Sequence, residues 1–159
     1  MNTLTAFIAA LLLFGVVPTA LAGESAYASL STAQTNQLLS RLGHASTPFD
    51  LGDGQTVHVL DFGGTKAVLR PLDCRNDVCH ALRLNATYRF TRVELDALNR
   101  WNAALTRERA YPAKAFLDHD GHVQLVADLD LEGGVQDGDL AAFVSEFAAQ
   151  ATHLEQALH

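Results

Sequence analysis

The residue pattern predicts an α+β domain, an antiparallel sheet of about five strands with helices packed on one face, in the order α-β-β-β-α-β-β-α. Three observations carry that prediction. Turn signals at Gly52-Asp53-Gly54, Gly63-Gly64 and Asn76-Asp77 recur about every ten residues and separate apolar runs of strand length. Two capping boxes, Ser31-Thr32-Ala33-Gln34 and Thr91-Arg92-Val93-Glu94, each precede apolar residues at helical spacing. The C-terminal stretch carries a long apolar stripe of the same helical period.

Taken in order, the first helix spans residues 32–42, with Ser31 as its N-cap, Leu38, Leu39 and Leu42 as its stripe and Gly43 as its stop. Strand-like runs follow at 55–61, 66–72 and 79–88; in the last, Leu82 and Leu84 alternate with Arg83 and Asn85, the mark of one buried and one wet face. A second helix starts from the Thr91 box, with Leu95, Leu98 and Leu105 facing inward together with Trp101 or Asn102. Tyr111-Pro112 prevents its continuation, because proline disfavours helix at the residue before it. Ala115-Phe116-Leu117 then leads into a hairpin at Asp120-Gly121. From Val123 the alternation is regular. Val123, Leu125, Ala127, Leu129 and Leu131 face one way, and Gln124, Val126, Asp128, Asp130 and Glu132 the other, up to Gly133-Gly134. A closing helix over 137–157 aligns Leu140, Phe143, Val144, Phe147, Ala151, Leu154 and Leu158.

The N-terminus has a different character. Of the 159 residues, the first 22 hold 16 apolar side chains and no charge. The 12-residue apolar run from Ala6 to Val17, about 18 Å long as a helix, falls short of the roughly 30 Å hydrocarbon core of a membrane. With Ala20-Leu21-Ala22 behind it, it reads as a secretory signal peptide cleaved after Ala22. The alternative is an uncleaved anchor, and the absence of Lys or Arg from Met1-Asn2-Thr3 leaves that reading open. No cysteine follows the run, which argues against a lipid anchor. The expected organisation is thus a signal peptide over 1–22, a flexible leader over 23–30 and a domain over 31–158, placed in the periplasm or secreted and off the membrane once cleaved. The whole net charge of −7 belongs to the part after Ala22. That balance excludes a protein that holds nucleic acid by neutralising phosphates.

Cys74 and Cys79 are the two cysteines of the chain. In an oxidising compartment so close a pair is most simply a disulfide stapling a hairpin across Asn76-Asp77. A redox-active pair is the first alternative, but it usually has the tighter C-x-x-C spacing. The second is a zinc site with His80, which needs a fourth ligand.

Several motifs together resemble the YbjN family, bacterial domains described as sensory transduction regulators and similar in fold to type III secretion chaperones. The resemblance is carried by Cys74/Cys79 followed by a strand, by Leu98-Asn99-Arg100-Trp101-Asn102, and by Phe116-Leu117-Asp118-His119-Asp120-Gly121. It continues into Leu129 to Val135 with Gly133-Gly134 and the closing amphipathic helix, covering residues 30 to 158. It implies a small binding or chaperone-like module with no catalytic residues and no cofactor. Its partner is expected to be a protein or peptide; type III chaperones are commonly dimers, which leaves a homodimer open.

Among candidate sites, Asp128, Asp130 and Glu132 on the outer strand face offer a docking surface for a basic partner. Trp101 is either a core anchor or an exposed anchor for a partner peptide. The alternative function is metal binding in the cell envelope, with His119 and His122 flanking the hairpin and Asp118 or Asp120 as a third ligand. Turn chemistry accounts for Asp118, Asp120 and Gly121 without a metal, since a strand follows where an EF-hand would place further ligands. Gly63-Gly64-Thr65-Lys66 lacks the spacing of a phosphate-binding loop, and Ser145 lacks a nucleophile-elbow setting.

Overall fold

The computed structural model describes residues 26–52, 55–105 and 109–158. The signal peptide expected over 1–22, and the part of the leader before Ala26, lie outside the described residues.

The α+β expectation holds, with three helices on one face of an antiparallel sheet. That sheet has six strands in the order β2-β3-β4-β5-β7-β6. They are β2 (Ser46–Asp50), β3 (Thr56–Phe62), β4 (Thr65–Arg75), β5 (Val78–Tyr88), β6 (Lys114–Leu117) and β7 (Val123–Asp130). The sixth strand, absent from the expected order, is β2. Its Ser-Thr-Pro-Phe-Asp sequence has no apolar alternation, and Pro48 is tolerated because β2 is an edge strand with a single neighbour. Two hairpin turns fix the register of the central strands. Gly63 and Gly64 both have positive φ, and so do Asn76 (50°) and Asp77 (63°). Each pair forms a tight two-residue connection whose backbone twist matches that of the strands. The disulfide joins Cys74 and Cys79, which face each other one step beyond Arg75 and Val78.

The leader is corrected in part. From Ala26 onward it belongs to the fold, with β1 (Ala26–Tyr27) pairing with β8 (Val135–Gln136). Leu30 is fully buried and exchanges two 2.9 Å backbone hydrogen bonds with Cys79. A small polar stretch is ordered here because its backbone groups find strand partners and Leu30 enters the core. Arg41 donates to the Tyr27 hydroxyl and, at 3.3 Å, to Asp137, tying β1 to two helices.

Helix α1 (Thr32–Arg41) starts as its capping box requires: Ser31 Oγ accepts from the Gln34 amide, and Gln34 Oε1 from the Ser31 amide. Asp77 at the tip of the disulfide hairpin accepts from Thr32 Oγ1 at 2.7 Å and from the Thr32 amide at 3.3 Å. Helix α2 (Leu95–Leu105) begins three residues later than its Thr91 box implies, and Leu95 is exposed rather than inward. Its buried stripe is Leu98, Trp101 and Leu105, spaced by three and four residues. Val93, ahead of the helix, packs against the core, so this segment enters from the core side before the helical turns begin. Helix α3 (Asp137–Leu158) lays Leu140, Phe143, Val144, Phe147, Ala151 and Leu154 on the sheet.

Across most of the strands burial alternates, Val57 and Cys79 being buried on the other side. Leu82, Leu84 and Ala86 of β5 and Val123, Leu125, Ala127 and Leu129 of β7 point to the helices and are buried. His58 lies on the same side of β3, between Pro48 and Leu69 in the register. Its imidazole is fully enclosed, and neither nitrogen has a hydrogen-bond partner among the described residues. Burial lowers its pKa from 6.5.

Candidate functional site: the open face of the sheet

The side of the sheet away from the helices carries no layer of described secondary structure, so the residues that alternate with the core are its surface. On β4, β5, β7 and β6 these include Val68 and Arg70, Arg83 and Asn85, Gln124 and Val126, and Phe116. They line a hollow of about 320 Å³. A second hollow of about 460 Å³ shares Arg83, Phe116 and Val126 with it and extends to Pro112, Lys114 and Asp128. Phe116, 47 % exposed on the edge strand β6, forms the wall between them.

Polar groups on this face are mostly tied to one another. Arg83 holds Asp128 through two hydrogen bonds of 2.6 and 2.8 Å. Gln124 Oε1 accepts from Asn85 at 3.1 Å and from Thr87 at 2.8 Å, and its amide donates to Asp118 at 2.7 Å. Arg70 is different. The register sets it directly opposite Arg83, and it makes no ion pair among the described residues.

The expected acidic docking surface is therefore less acidic than its sequence. Asp128 is neutralised by Arg83, and Asp130 accepts the Glu132 backbone amide at 2.8 Å in the turn that ends β7. Glu132 is exposed beside Gly133-Gly134, beyond the strand. Trp101 takes the first of its two expected roles. It is 4 % exposed and its indole N–H donates to His153 Nδ1 at 3.1 Å, so it has no surface with which to anchor a partner.

Asn102, its neighbour, uses its side chain to hydrogen-bond backbone, as expected of an asparagine flanking Trp101. Its side-chain amide donates to the Ala115 carbonyl and its oxygen accepts from the Ala115 amide, both at 2.8 Å. Gln150, buried on α3, does the same one step earlier, accepting from the Ala113 amide and donating to the Tyr111 carbonyl. Two helix amides thus satisfy the outer backbone edge of β6 where another strand would otherwise pair. The signal for Arg70 was present in the sequence: equal steps outward from the Asn76-Asp77 turn place it opposite Arg83.

The histidine pair expected as metal ligands is not brought together as a set. Ligand atoms of Asp118, Asp120 and His122 lie within 4.8 Å of one another, and His119 is not in that group. His119 is almost wholly exposed against Asp120. The Asp118 carboxylate already accepts from Gln124 and from the Asp120 and His122 amides, which outweigh its desolvation and hold its pKa below the ordinary carboxylate value. This is the chemistry of a turn.

No helix of the described residues is long and apolar enough to cross a membrane. A comparison with curated proteins returns no match. Among solved structures, the crystal structure of YbjN, "a putative transcription regulator from E. coli", is 23 % identical in sequence with a TM-score of 0.49, covering 76 % of this chain and 85 % of its own. The family model for YbjN, "Putative bacterial sensory transduction regulator", matches residues 36–159. By the extent of that match, the chain belongs to the YbjN family.

Proposed function

We propose that the protein is an exported, non-enzymatic module that binds another protein or peptide in a regulatory or chaperone-like role, using the open face of its sheet. The observation that carries this reading is the pairing of an uncovered, hollowed sheet face with a blocked sheet edge. An extended partner can join a sheet at its edge or lie across its face. Asn102 and Gln150 occupy the β6 edge, and Pro48 on β2 has no N–H to offer at the other. The face is the route left to a partner, and its exposed Phe116 supplies an apolar anchor there.

Export is supported by the uncharged apolar N-terminus and by the disulfide, which suits an oxidising compartment. Cleavage after Ala22 would leave the described fold, which begins at Ala26, whole. Site-specific photo-crosslinking in intact cells tests both parts. A photoreactive residue at Val126 should capture a discrete partner in the exported fraction, while one at Ser145, exposed on the far side of α3, should not. Equal capture at both positions, or a chain retained in the cytoplasm at full length, contradicts the reading.

A further inference from the structure

The hollowed face has a local charge opposite to that of the chain. Around the two hollows stand Arg70, Arg83 and Lys114 against one carboxylate, Asp128, in a protein of net charge −7. Arg83 spends its guanidinium on Asp128, so the charge left over is that of Arg70 on β4 and Lys114 on β6, which line the hollows together with the apolar Val68, Val126 and Phe116. Like charges directly across a strand pair are unfavourable, and Arg70 against Arg83 is such a pair, with the one carboxylate, Asp128, on the far side of Arg83. An anionic occupant relieves that repulsion, and an apolar one covers the valines and Phe116.

We propose that this face binds an extended peptide segment in which carboxylate and apolar side chains take turns at every second residue, along one and the same face. The assignment rests on the protein-binding reading above and names the partner chemistry. That spacing fits the surface because successive side chains of an extended segment point to opposite faces, so residues i and i+2 share a side: an apolar residue can lie on Val126 and Phe116 while carboxylates two positions to either side reach Arg70 and Lys114. The preference is the reverse of the basic partner that Asp128, Asp130 and Glu132 suggest by composition.

Fluorescence anisotropy tests it, using protein purified after expression of the full chain and a fluorescein-labelled peptide in which glutamate and valine take turns at every second position with serine between them. Counterparts carry lysine or glutamine in place of glutamate. The glutamate peptide should bind saturably, at least about tenfold more tightly than the lysine peptide, and more weakly as salt rises. Arg70→Glu should erase or invert that preference while Arg70→Lys keeps it. Arg70 is exposed, and Arg70→Glu turns a repulsive pair into an attractive one, so an undiminished Tm verifies that the variant is folded. Equal binding of all three peptides, tighter binding of the lysine peptide, or indifference to Arg70→Glu overturns the proposal. If the glutamate peptide fails while crosslinking at Val126 still captures a partner, the acidic assignment falls and the protein-binding reading stands; if both fail, both fall.

Discussion

Replacing His58 by leucine should make the protein more resistant to acid. The imidazole is fully enclosed and unpartnered, and burial lowers its pKa from 6.5. In the unfolded chain the same group takes up a proton near pH 6.5, so below that value the unfolded state binds more protons than the folded one. Stability attributable to this site is therefore complete above pH 6.5 and is lost as the pH falls toward the depressed folded-state value, at about 1.4 kcal/mol per pH unit. The loss builds up at that slope from pH 6.5 down to the depressed folded-state value. His58→Leu removes that term and also removes two buried nitrogens left without hydrogen bonds, each worth about 1–3 kcal/mol of lost solvation. Leucine fills a similar volume beside Leu69, so the cavity cost is small. Urea unfolding of both proteins at about pH 7.5 and pH 5 isolates the effect, because the remaining histidines are common to the pair. The variant should be at least as stable near neutrality and lose less on acidification. Parallel losses in the two proteins, or a variant weakened by several kcal/mol at pH 7.5, would refute the reasoning.

Changes at Trp101, at Asn102 and at the disulfide probe the fold that supports the open face. Trp101→Ala should cost about 3–5 kcal/mol in urea unfolding, as expected of a buried aromatic, and Trp101→Phe distinctly less because only the hydrogen bond to His153 and part of the ring are lost. Asn102→Ala strands the Ala115 amide and carbonyl at a buried position and should cost about 1–3 kcal/mol, with faster hydrogen exchange at Ala115 as the local readout. Opening the disulfide by the double change Cys74→Ser with Cys79→Ser should cost roughly 2 kcal/mol by the chain-entropy model, measured as a shift in the urea midpoint at constant slope.

The parts of this fold that can be read from the sequence are those whose period survives without a partner. The stripe of α3 and the alternation of β7 are legible because each element buries one face along its whole length. β2 and β1 are not. Ser46–Asp50 buries almost nothing, and Ala26–Tyr27 becomes a strand only because Val135–Gln136 lies beside it, so neither leaves a hydrophobic pattern. The same division applies to the site. That Asp128 points outward follows from alternation, whereas its neutralisation depends on Arg83, 45 residues earlier and brought alongside by strand register. Trp101 looks equally suited to core or surface in sequence, and the i, i+3, i+7 placement with Leu98 and Leu105 decides it for the core. Asn102, one residue on, turns its amide to the edge of β6, a contact no local motif announces.

The β1–β8 ribbon has a consequence for the order in which the domain assembles. Ala26 and Tyr27 leave the ribosome well before Val135 and Gln136, their pairing partners, and Leu30 emerges long before Cys79. These first residues must therefore wait for nearly the whole chain, and closing so long a loop carries an entropic cost that local contacts do not share. The hairpins centred on Gly63-Gly64 and Asn76-Asp77 need no such delay, since each pairs neighbours in sequence. Assembly then proceeds from the middle outward, and the clasp at Ala26 closes last. A chain halted before residue 135 can pair Leu30 with Cys79 but lacks the clasp at Ala26 and Tyr27.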